Sequence, residues 1–311
     1  MSSKQSFEFK VETKGMRFDQ FLAFQFPAVS LTRLRKVIRE GEAKVNGRTT
    51  IRHGWILQAG DLINVQVDTD EPTSAKPENL PLEILFEDDD LIIINKPVGM
   101  LSHPSHIEKS GTVMNALAWH FLHSKPSGMT APRPILLHRL DRDTSGVLAI
   151  AKNERANIIV SKAFRLRRVS KSYIALVHGV VEANEVEIDA PLGRNPTTWP
   201  RWCVKEGGDA SQTKLIVKER FKDCTLVTLE PLTGRTHQLR IHCTHIGHPI
   251  IGDQVYRGTN SNDEIAGMKF KHQLLHAEML KFFHPSRSEE ITFRAPLPVV
   301  MEELKKRLRN V

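Results

Sequence analysis

The stretch of sequence that decides the fold is LHRLDRDTSG, at residues 137–146. The apolar run Ile135-Leu136-Leu137 leads into it and a second apolar run, Val147 to Ala151, leads out, which predicts a buried strand on each side of a polar loop. Asp141 lies where the first strand ends. Rigid elements on both sides can hold its carboxylate while the oxygens face a cleft, which suits a nucleophile or a general base.

The residue types of this loop also allow two structural interpretations. Asp, Thr, Ser and Gly are common turn residues, so the loop could simply connect two strands of a hairpin. Asp141, Asp143 and Ser145 also match the first positions of an EF-hand calcium loop. The twelfth position of that loop would be Lys152, where a bidentate Glu is required, so a calcium site is not expected.

The ordered string HRLDRDTSG at residues 138–146 resembles the signature of the RluA-type pseudouridine synthases, in which the catalytic aspartate follows His-Arg-Leu. A string of this length is far more specific than a turn motif. Two later motifs also resemble the family, KSYIALV at residues 171–177 and TGRTHQLRIH at residues 233–242. The resemblance covers residues 17 to about 305, with a departure at Arg257, where the family commonly has glycine.

The resemblance implies that Asp141, Tyr173 and Arg240 form the catalytic set. Tyr173 lies on a predicted strand, and the resemblance implies that its ring stacks on the target uracil. Arg240 lies early in a predicted short helix, with Thr236 as the N-cap and Gly247 at its end. The resemblance further implies that Arg240 pairs with Asp141, because an adjacent guanidinium favours and orients a charged carboxylate.

Positive charge is concentrated in two blocks of the chain. The net charge is +8 and the pI is near 9.4, which favours a polyanion as partner. Seven basic residues and two acids lie between Leu31 and Arg52, and seven basic residues and one acid lie between Lys152 and Lys171. Such blocks repel themselves unless phosphates lie nearby. The candidate RNA-binding residues are Arg139, Arg33, Arg35, Lys36, Arg39 and Lys44.

The order of predicted elements indicates an α+β protein with two domains. Residues 1–16 are predicted to form an N-terminal tail. Residues 17–67 carry two apolar stripes at helical spacing and an Asn46-Gly47 turn, and they resemble an S4-type RNA-binding domain. Further along the chain, alternation on a predicted strand places Tyr173, Ala175 and Val177 on one face. Residues 68–81 carry three prolines and four acids, which predicts a linker. Residues 82–311 are expected to form a catalytic domain of pseudouridine synthase type, built on a mainly antiparallel mixed β-sheet.

Several classes of protein are not expected from the composition. No apolar stretch approaches the roughly 18 residues of a membrane span. The three cysteines, Cys203, Cys224 and Cys243, are too irregularly spaced for a disulfide framework or a zinc ribbon, and a cytoplasmic location is predicted. Four histidines between residues 237 and 248 surround Cys243, but no paired ligand cluster completes a known zinc spacing, so no metal is expected. No glycine loop for a nucleotide is evident, and no cofactor is expected.

The sequence therefore predicts an enzyme that isomerises specific uridines in RNA to pseudouridine. Large-subunit ribosomal RNA is the first expected substrate, because S4-bearing members of the family commonly act on it, and transfer RNA is the next. A non-catalytic RNA-binding protein of the same fold and an N-glycosidase remain as alternatives. The residues leave open whether Asp141 attacks C1′, adds to C6 or removes a proton. A monomer is expected, because no heptad repeat is evident.

Overall fold

The computed structural model describes residues 4–26, 29, 31–67, 75–105, 107–124, 132–195, 197, 202–257 and 264–310. The chain forms two compact units. The first comprises Met1–Leu80, His103–Ile135 and Ala151–Arg155, and the second comprises Pro81–Ser102, Leu136–Ile150 and Ala156–Val311. The bounds of these units differ from the predicted division into residues 17–67 and 82–311, because two later segments belong to the first unit. Among the described residues, no helix is long and apolar enough to cross a membrane.

The first unit contains a four-stranded antiparallel sheet in the order β1-β4-β2-β3. Its first 67 residues hold two helices and the strands of this sheet: β1 (Gln5–Lys10), α1 (Phe18–Gln25), α2 (Leu31–Arg39), β2 (Ala43–Val45), β3 (Arg48–Thr49) and β4 (Leu62–Val67). The prediction of a tail over residues 1–16 is wrong, because β1 pairs with β4 along its whole length. Phe7 and Phe9 alternate along β1 and pack against the core of this unit.

The helices of this region form where apolar stripes were predicted. Phe18 and Leu22 of α1, with Leu34 and Ile38 of α2, are fully buried in one cluster. The Asn46-Gly47 turn between β2 and β3 has positive φ at both residues, 50° and 74°, as a tight hairpin turn requires.

The C-terminal part of the predicted linker is held in place. Residues 68–74 lie outside the described residues, but Ala75 is buried and Asn115 donates from Nδ2 to the Lys76 carbonyl at 2.8 Å. The Glu78 carboxylate accepts from the Gly111 N–H at 2.9 Å. Residues 75–80 therefore pack beside the start of α3 (Val113–Ser124) rather than running free.

The remaining elements build the main sheet and its surroundings. The strands that lead up to the second half of the chain are β5 (Glu83–Glu87), β6 (Leu91–Lys96), β7 (Ile135–Leu136) and β8 (Ser145–Ala151), followed by α4 (Glu154–Arg165). After them come β9 (Ser170–His178), β10 (Glu185–Asp189), β11 (Leu192–Arg194), β12 (Trp202–Val204), β13 (Gln212–Arg220), β14 (Cys224–Pro231) and α5 (Gln238–His245). The chain ends with β15 (Glu264–Ile265), β16 (Met268–Lys269), β17 (Leu275–Phe283), β18 (Glu290–Arg294) and α6 (Val299–Arg309).

The main sheet runs in the order β10-β13-β14-β9-β17-β8-β6-β5, with β18 and β7 paired to β17 and β8. The pairs β10-β13, β13-β14, β14-β9, β9-β17 and β5-β6 are antiparallel, and β17-β8 is parallel. The predicted α+β class with a mainly antiparallel mixed sheet is confirmed. Gly146 makes the parallel pair possible, because it has φ +113° and a Cβ there would lie 2.2 Å from the Ala277 carbonyl oxygen.

Side chains that alternate along β9 pack with α5 on one face of the sheet and with α6 on the other. Ala175 and Val177 belong to a buried cluster with Leu239 of α5, and Tyr173 packs against that cluster. Leu176 points the other way, into a cluster with Leu304 of α6. The predicted face shared by Tyr173, Ala175 and Val177 therefore lies on the side of α5.

Candidate active site

The backbone on both sides of Asp141 is fixed by hydrogen bonds. The Asp141 carbonyl accepts from the Thr144 N–H at 3.1 Å, which closes a turn into β8. Ser102 bonds both backbone groups of Leu140: its hydroxyl donates to the carbonyl at 2.8 Å and accepts from the N–H at 3.2 Å. The strand before Asp141 is shorter than predicted, since β7 contains two residues that are only half-buried. The two hydrogen bonds from the Ser102 side chain therefore hold the backbone before Asp141, which a longer strand would otherwise hold.

Lys96 makes three further hydrogen bonds close to Asp141, and sequence reasoning did not assign it to the site. Its fully buried Nζ donates to the carbonyls of Pro97 at 2.7 Å, Met100 at 2.8 Å and Arg142 at 2.8 Å. Burial lowers the pKa of Lys96 to about 7, although the neighbouring carboxylates of Asp143 and Asp141 raise it. Three carbonyl acceptors need three N–H donors, which only the ammonium form supplies. The protonated side chain therefore fixes the residue next to Asp141.

Arg240 joins two carboxylates, one of which is Asp141. Its Nη1 donates to Asp141 Oδ2 at 3.2 Å. On its other side, Nε and Nη2 form a bidentate pair with Asp253 at 2.6 and 2.8 Å. Asp253 is held in turn by the N–H groups of Val255 at 2.8 Å and Tyr256 at 2.9 Å. The guanidinium that reaches Asp141 is therefore fixed from behind.

Burial and charge shift the pKa values of Arg240 and Asp253 in opposite directions. Burial lowers the pKa of Arg240, but the hydrogen bonds and charge of Asp253, together with Asp141, outweigh it and raise the pKa above its ordinary range. Burial raises the pKa of Asp253, and the bonds and charge of Arg240 outweigh that as well, so this pKa is lowered. Both groups are charged at neutral pH. The Asp141 side chain keeps 28% of its surface exposed and is the accessible carboxylate of the two.

Asp141, Tyr173 and Arg240 line one cavity of about 550 Å³ in the second unit. The structure thus brings together the three residues that the sequence assigned to catalysis. Burial, and secondly the negative charge of Asp141, raise the pKa of Tyr173, so its hydroxyl is neutral and close to that carboxylate. One wall of the cavity is formed by apolar side chains, including Leu137 and Leu239. The cavity therefore holds the flat ring of Tyr173 and the carboxylate of Asp141 in partly apolar surroundings.

His237 is a second residue that sequence reasoning did not assign to the site. Its backbone is left-handed, with φ 55°, an uncommon conformation for a residue with a side chain. Nε2 lies 3.9 Å from Asp141 Oδ1, and Nδ1 is hydrogen-bonded to the Tyr256 hydroxyl at 2.9 Å. Burial, with the positive charge of Arg240, lowers the pKa of His237 against the opposing charge of Asp141. The imidazole at this position is neutral.

Arg139 lies at the exposed edge of the cavity and donates from Nη2 to the Thr236 hydroxyl at 2.8 Å. The prediction that Thr236 caps α5 is wrong. His237 is the N-cap residue and makes no side-chain cap bond, and the Thr236 hydroxyl accepts from Arg139. The end of α5 follows the prediction, with Gly247 at φ +84° and its N–H bonded to the Thr244 carbonyl.

The other candidate RNA-binding residues belong to the first unit. Lys36, Arg39 and Lys44 have exposed side chains, and Lys36 Nζ is 3.7 Å from Glu40. Arg35 donates from Nε to the buried carboxylate of Asp19 at 2.8 Å, so part of its guanidinium serves the fold of this unit. Arg33 is half-buried on the same helix.

Two further observations concern an aromatic segment and possible metal ligands. Most of the aromatic and arginine segment at residues 198–202 lies outside the described residues; Trp202, which is described, starts β12 and donates its N–H to the Tyr256 hydroxyl at 3.3 Å. In the part of the chain that the structure describes, no group of three or more His, Cys, Asp or Glu side chains could hold a metal ion.

The chain is similar to known proteins over almost its whole length. Residues 90–245 match the family described as RNA pseudouridylate synthase. The ribosomal large subunit pseudouridine synthase D of Pasteurella multocida is 37% identical, over 98% of this chain and 94% of the relative. An uncharacterized RNA pseudouridine synthase of Aquifex aeolicus is 36% identical, over 96% of this chain and 95% of the relative.

Solved structures agree with this similarity. Human RNA Pseudouridylate Synthase Domain Containing 4 superposes with a TM-score of 0.60 at 26% identity, over 73% of this chain and 93% of that one. Domain Containing 1 of the same series superposes with a TM-score of 0.55 at 28% identity, over 75% of this chain and 97% of that one. The chain belongs to the RNA pseudouridylate synthase family and is an enzyme that converts uridine in RNA to pseudouridine.

Proposed function

We propose that the protein isomerises uridine in large-subunit ribosomal RNA and that Asp141 is the group that acts on the nucleoside. The observation that carries the role of Asp141 is the contact with Arg240, which is itself fixed by Asp253 beside the cavity. A relative that is named for the large ribosomal subunit and matches 98% of this chain supports the choice of RNA. The charge of +8 suits a polyanionic substrate of either kind.

The reaction breaks the bond between ribose C1′ and uracil N1 and forms a bond between C1′ and C5. C5 loses its proton to solvent and N1 takes up one proton, so the product is an isomer of uridine. It needs a carboxylate near the reacting carbons, a surface against which the freed base can turn, and restricted access of water. Asp141 supplies the carboxylate, and Tyr173 supplies the flat wall for stacking. Arg240 holds the Asp141 carboxylate in one orientation.

A folded RNA presents its uridines within stacked helices, so the target must leave the stack before it enters the cavity. Arg139, at the exposed edge beside Asp141, takes the space that the base vacates or contacts the phosphates there. The S4-like region contributes Arg33, Arg35, Lys36, Arg39 and Lys44 as an RNA-binding surface. The enzyme acts in the cytoplasm as a monomer. Sedimentation of the purified protein should show a species with a mass near 35.3 kDa.

The test of the substrate is a map of pseudouridine in total RNA from cells with and without the gene. We expect one or more pseudouridines to disappear from large-subunit ribosomal RNA and to return when the gene is restored. Loss confined to transfer RNA would refute the proposed substrate. Free uracil and abasic ribose in place of pseudouridine would indicate an N-glycosidase and would refute the reaction itself.

A further inference from the structure

The cavity beside Asp141 carries more positive charge than one uracil requires. Six basic side chains line it, against the single carboxylate of Asp141: Arg139, Arg165, Arg167, Lys171, Arg235 and Arg240. Three of the six have partners within the site, since Arg240 bonds Asp141 and Asp253, Lys171 donates to a backbone carbonyl, and Arg139 donates to a hydroxyl. The other three, Arg165, Arg167 and Arg235, form no ion pair with any residue in the described ranges.

Arg167 occupies a backbone position that normally belongs to glycine. After α4, the Arg167 N–H bonds the Phe164 carbonyl at 3.1 Å and the Arg168 N–H bonds the Ala163 carbonyl at 2.9 Å. This pair of bonds is the Schellman ending of a helix, in which the residue before the last donor is left-handed and is most often glycine. Here that residue is Arg167, with φ 57°. A side chain at this φ is strained, and glycine would relieve the strain.

Strain of this kind is concentrated at the cavity. Among the described residues, the non-glycine residues with positive φ are Asn46, Arg167, His237 and Ala266, and two of them line this cavity. Asn46 serves a hairpin turn. Backbone strain that persists at a ligand cavity indicates that the side chain is needed there. Compared with glycine, Arg167 adds a guanidinium at the cavity wall, and this group forms no ion pair with any residue in the described ranges.

We infer that Arg167, together with Arg165 and Arg235, forms a phosphate-binding subsite on the wall of this cavity. The subsite holds the RNA backbone next to the uridine that is isomerised, and it therefore rests on the proposed function. A guanidinium binds phosphate oxygens in a bidentate manner, and such contacts position a nucleic acid without reading its sequence. Arg167 lines the cavity just beyond the end of α4.

The test uses the full chain and an in vitro transcript of large-subunit ribosomal RNA. Arg167→Gly removes the side chain and relieves the backbone, so we expect Tm to rise by about 2–4 °C. We expect the same variant to bind the transcript about tenfold more weakly. Arg167→Asn, which also tolerates a left-handed backbone, should weaken binding equally. The slope of log K against log salt should fall by about 0.7–0.9, as for one lost phosphate contact.

Arg168→Asn is the matched control, because it removes the same charge from the next residue, whose side chain does not line the cavity. It should change binding and the salt slope much less. Equal losses for the two Asn variants, or unchanged binding for Arg167→Asn, would overturn the subsite. Binding is measured apart from turnover, so a wild-type enzyme that forms no pseudouridine would refute the proposed function while the binding comparison still decides the subsite.

Discussion

Replacement of Asp253 by Asn isolates the pair that holds Arg240. The side chains of Arg240 and Asp253 are only 7% and 1% exposed. Removing one partner of a buried ion pair costs about 3–5 kcal/mol, because the other charge is left buried without compensation. Asn keeps one acceptor oxygen, so we expect the lower end, about 3 kcal/mol, which corresponds to a fall in Tm of about 6–12 °C for a unit of this size.

The same substitution should slow the reaction. Without the bonds at 2.6 and 2.8 Å behind it, the guanidinium is free to move relative to Asp141. A shift of about 1 Å at a catalytic group lowers the rate about 100-fold, and we expect kcat to fall by that order with KM nearly unchanged. Release of tritium from RNA labelled at uracil C5 measures kcat, and thermal unfolding measures stability.

The pH dependence gives a further check on the pair. Burial raises the pKa of Asp253, but Arg240 lowers it more, so the net shift is downward. The stability that the pair contributes is therefore fully present above the unfolded-state pKa and is lost as pH falls through the folded-state pKa.

Asp189→Asn, at an exposed carboxylate of β10, is the matched control and should change the free energy of unfolding by less than about 0.5 kcal/mol. A kcat of Asp253→Asn within threefold of wild type would refute the reasoning.

Three further predictions concern other parts of the chain. Burial lowers the pKa of His138 to about 3 from 6.5, so wild-type stability should decline as pH falls from 6.5 toward 3; urea denaturation should show a smaller decline for His138→Gln. Gly146→Ala should prevent folding, because its Cβ would lie 2.2 Å from a carbonyl oxygen, whereas Gly99→Ala, with nothing within 4 Å, should lose only about 1 kcal/mol; soluble yield and Tm distinguish them. The double variant Lys36→Gln, Arg39→Gln should weaken RNA binding and reduce its salt dependence without changing kcat, and an unchanged salt slope would exclude α2 from the RNA interface.

The parts of the fold that local sequence patterns determine were predictable. The apolar stripes of α1 and α2, the Asn46-Gly47 turn and the alternation along β9 depend on neighbours in sequence, and each forms as expected. The loop that presents Asp141 was identified by its resemblance to the RluA-type signature, because its residue types alone also fit a hairpin turn.

The parts that depend on tertiary partners were not predictable from local patterns. β1 has a simple Phe7, Phe9 alternation, but only pairing with β4 makes it part of a sheet. The local rule for helix starts selected Thr236, whose hydroxyl instead accepts from Arg139, a residue 97 positions away. The role of Asp253 was not predictable, because nothing in the sequence shows that its carboxylate meets Arg240.

Asp141→Asn tests the central claim most directly, since it removes one charge and keeps the shape of the side chain. We expect the variant to bind the transcript with an affinity within about twofold of wild type and to form no pseudouridine, measured by tritium release from C5 under single-turnover conditions. Pseudouridine formation by the variant at a rate near that of wild type would contradict the assignment of Asp141 and the mechanism built on it.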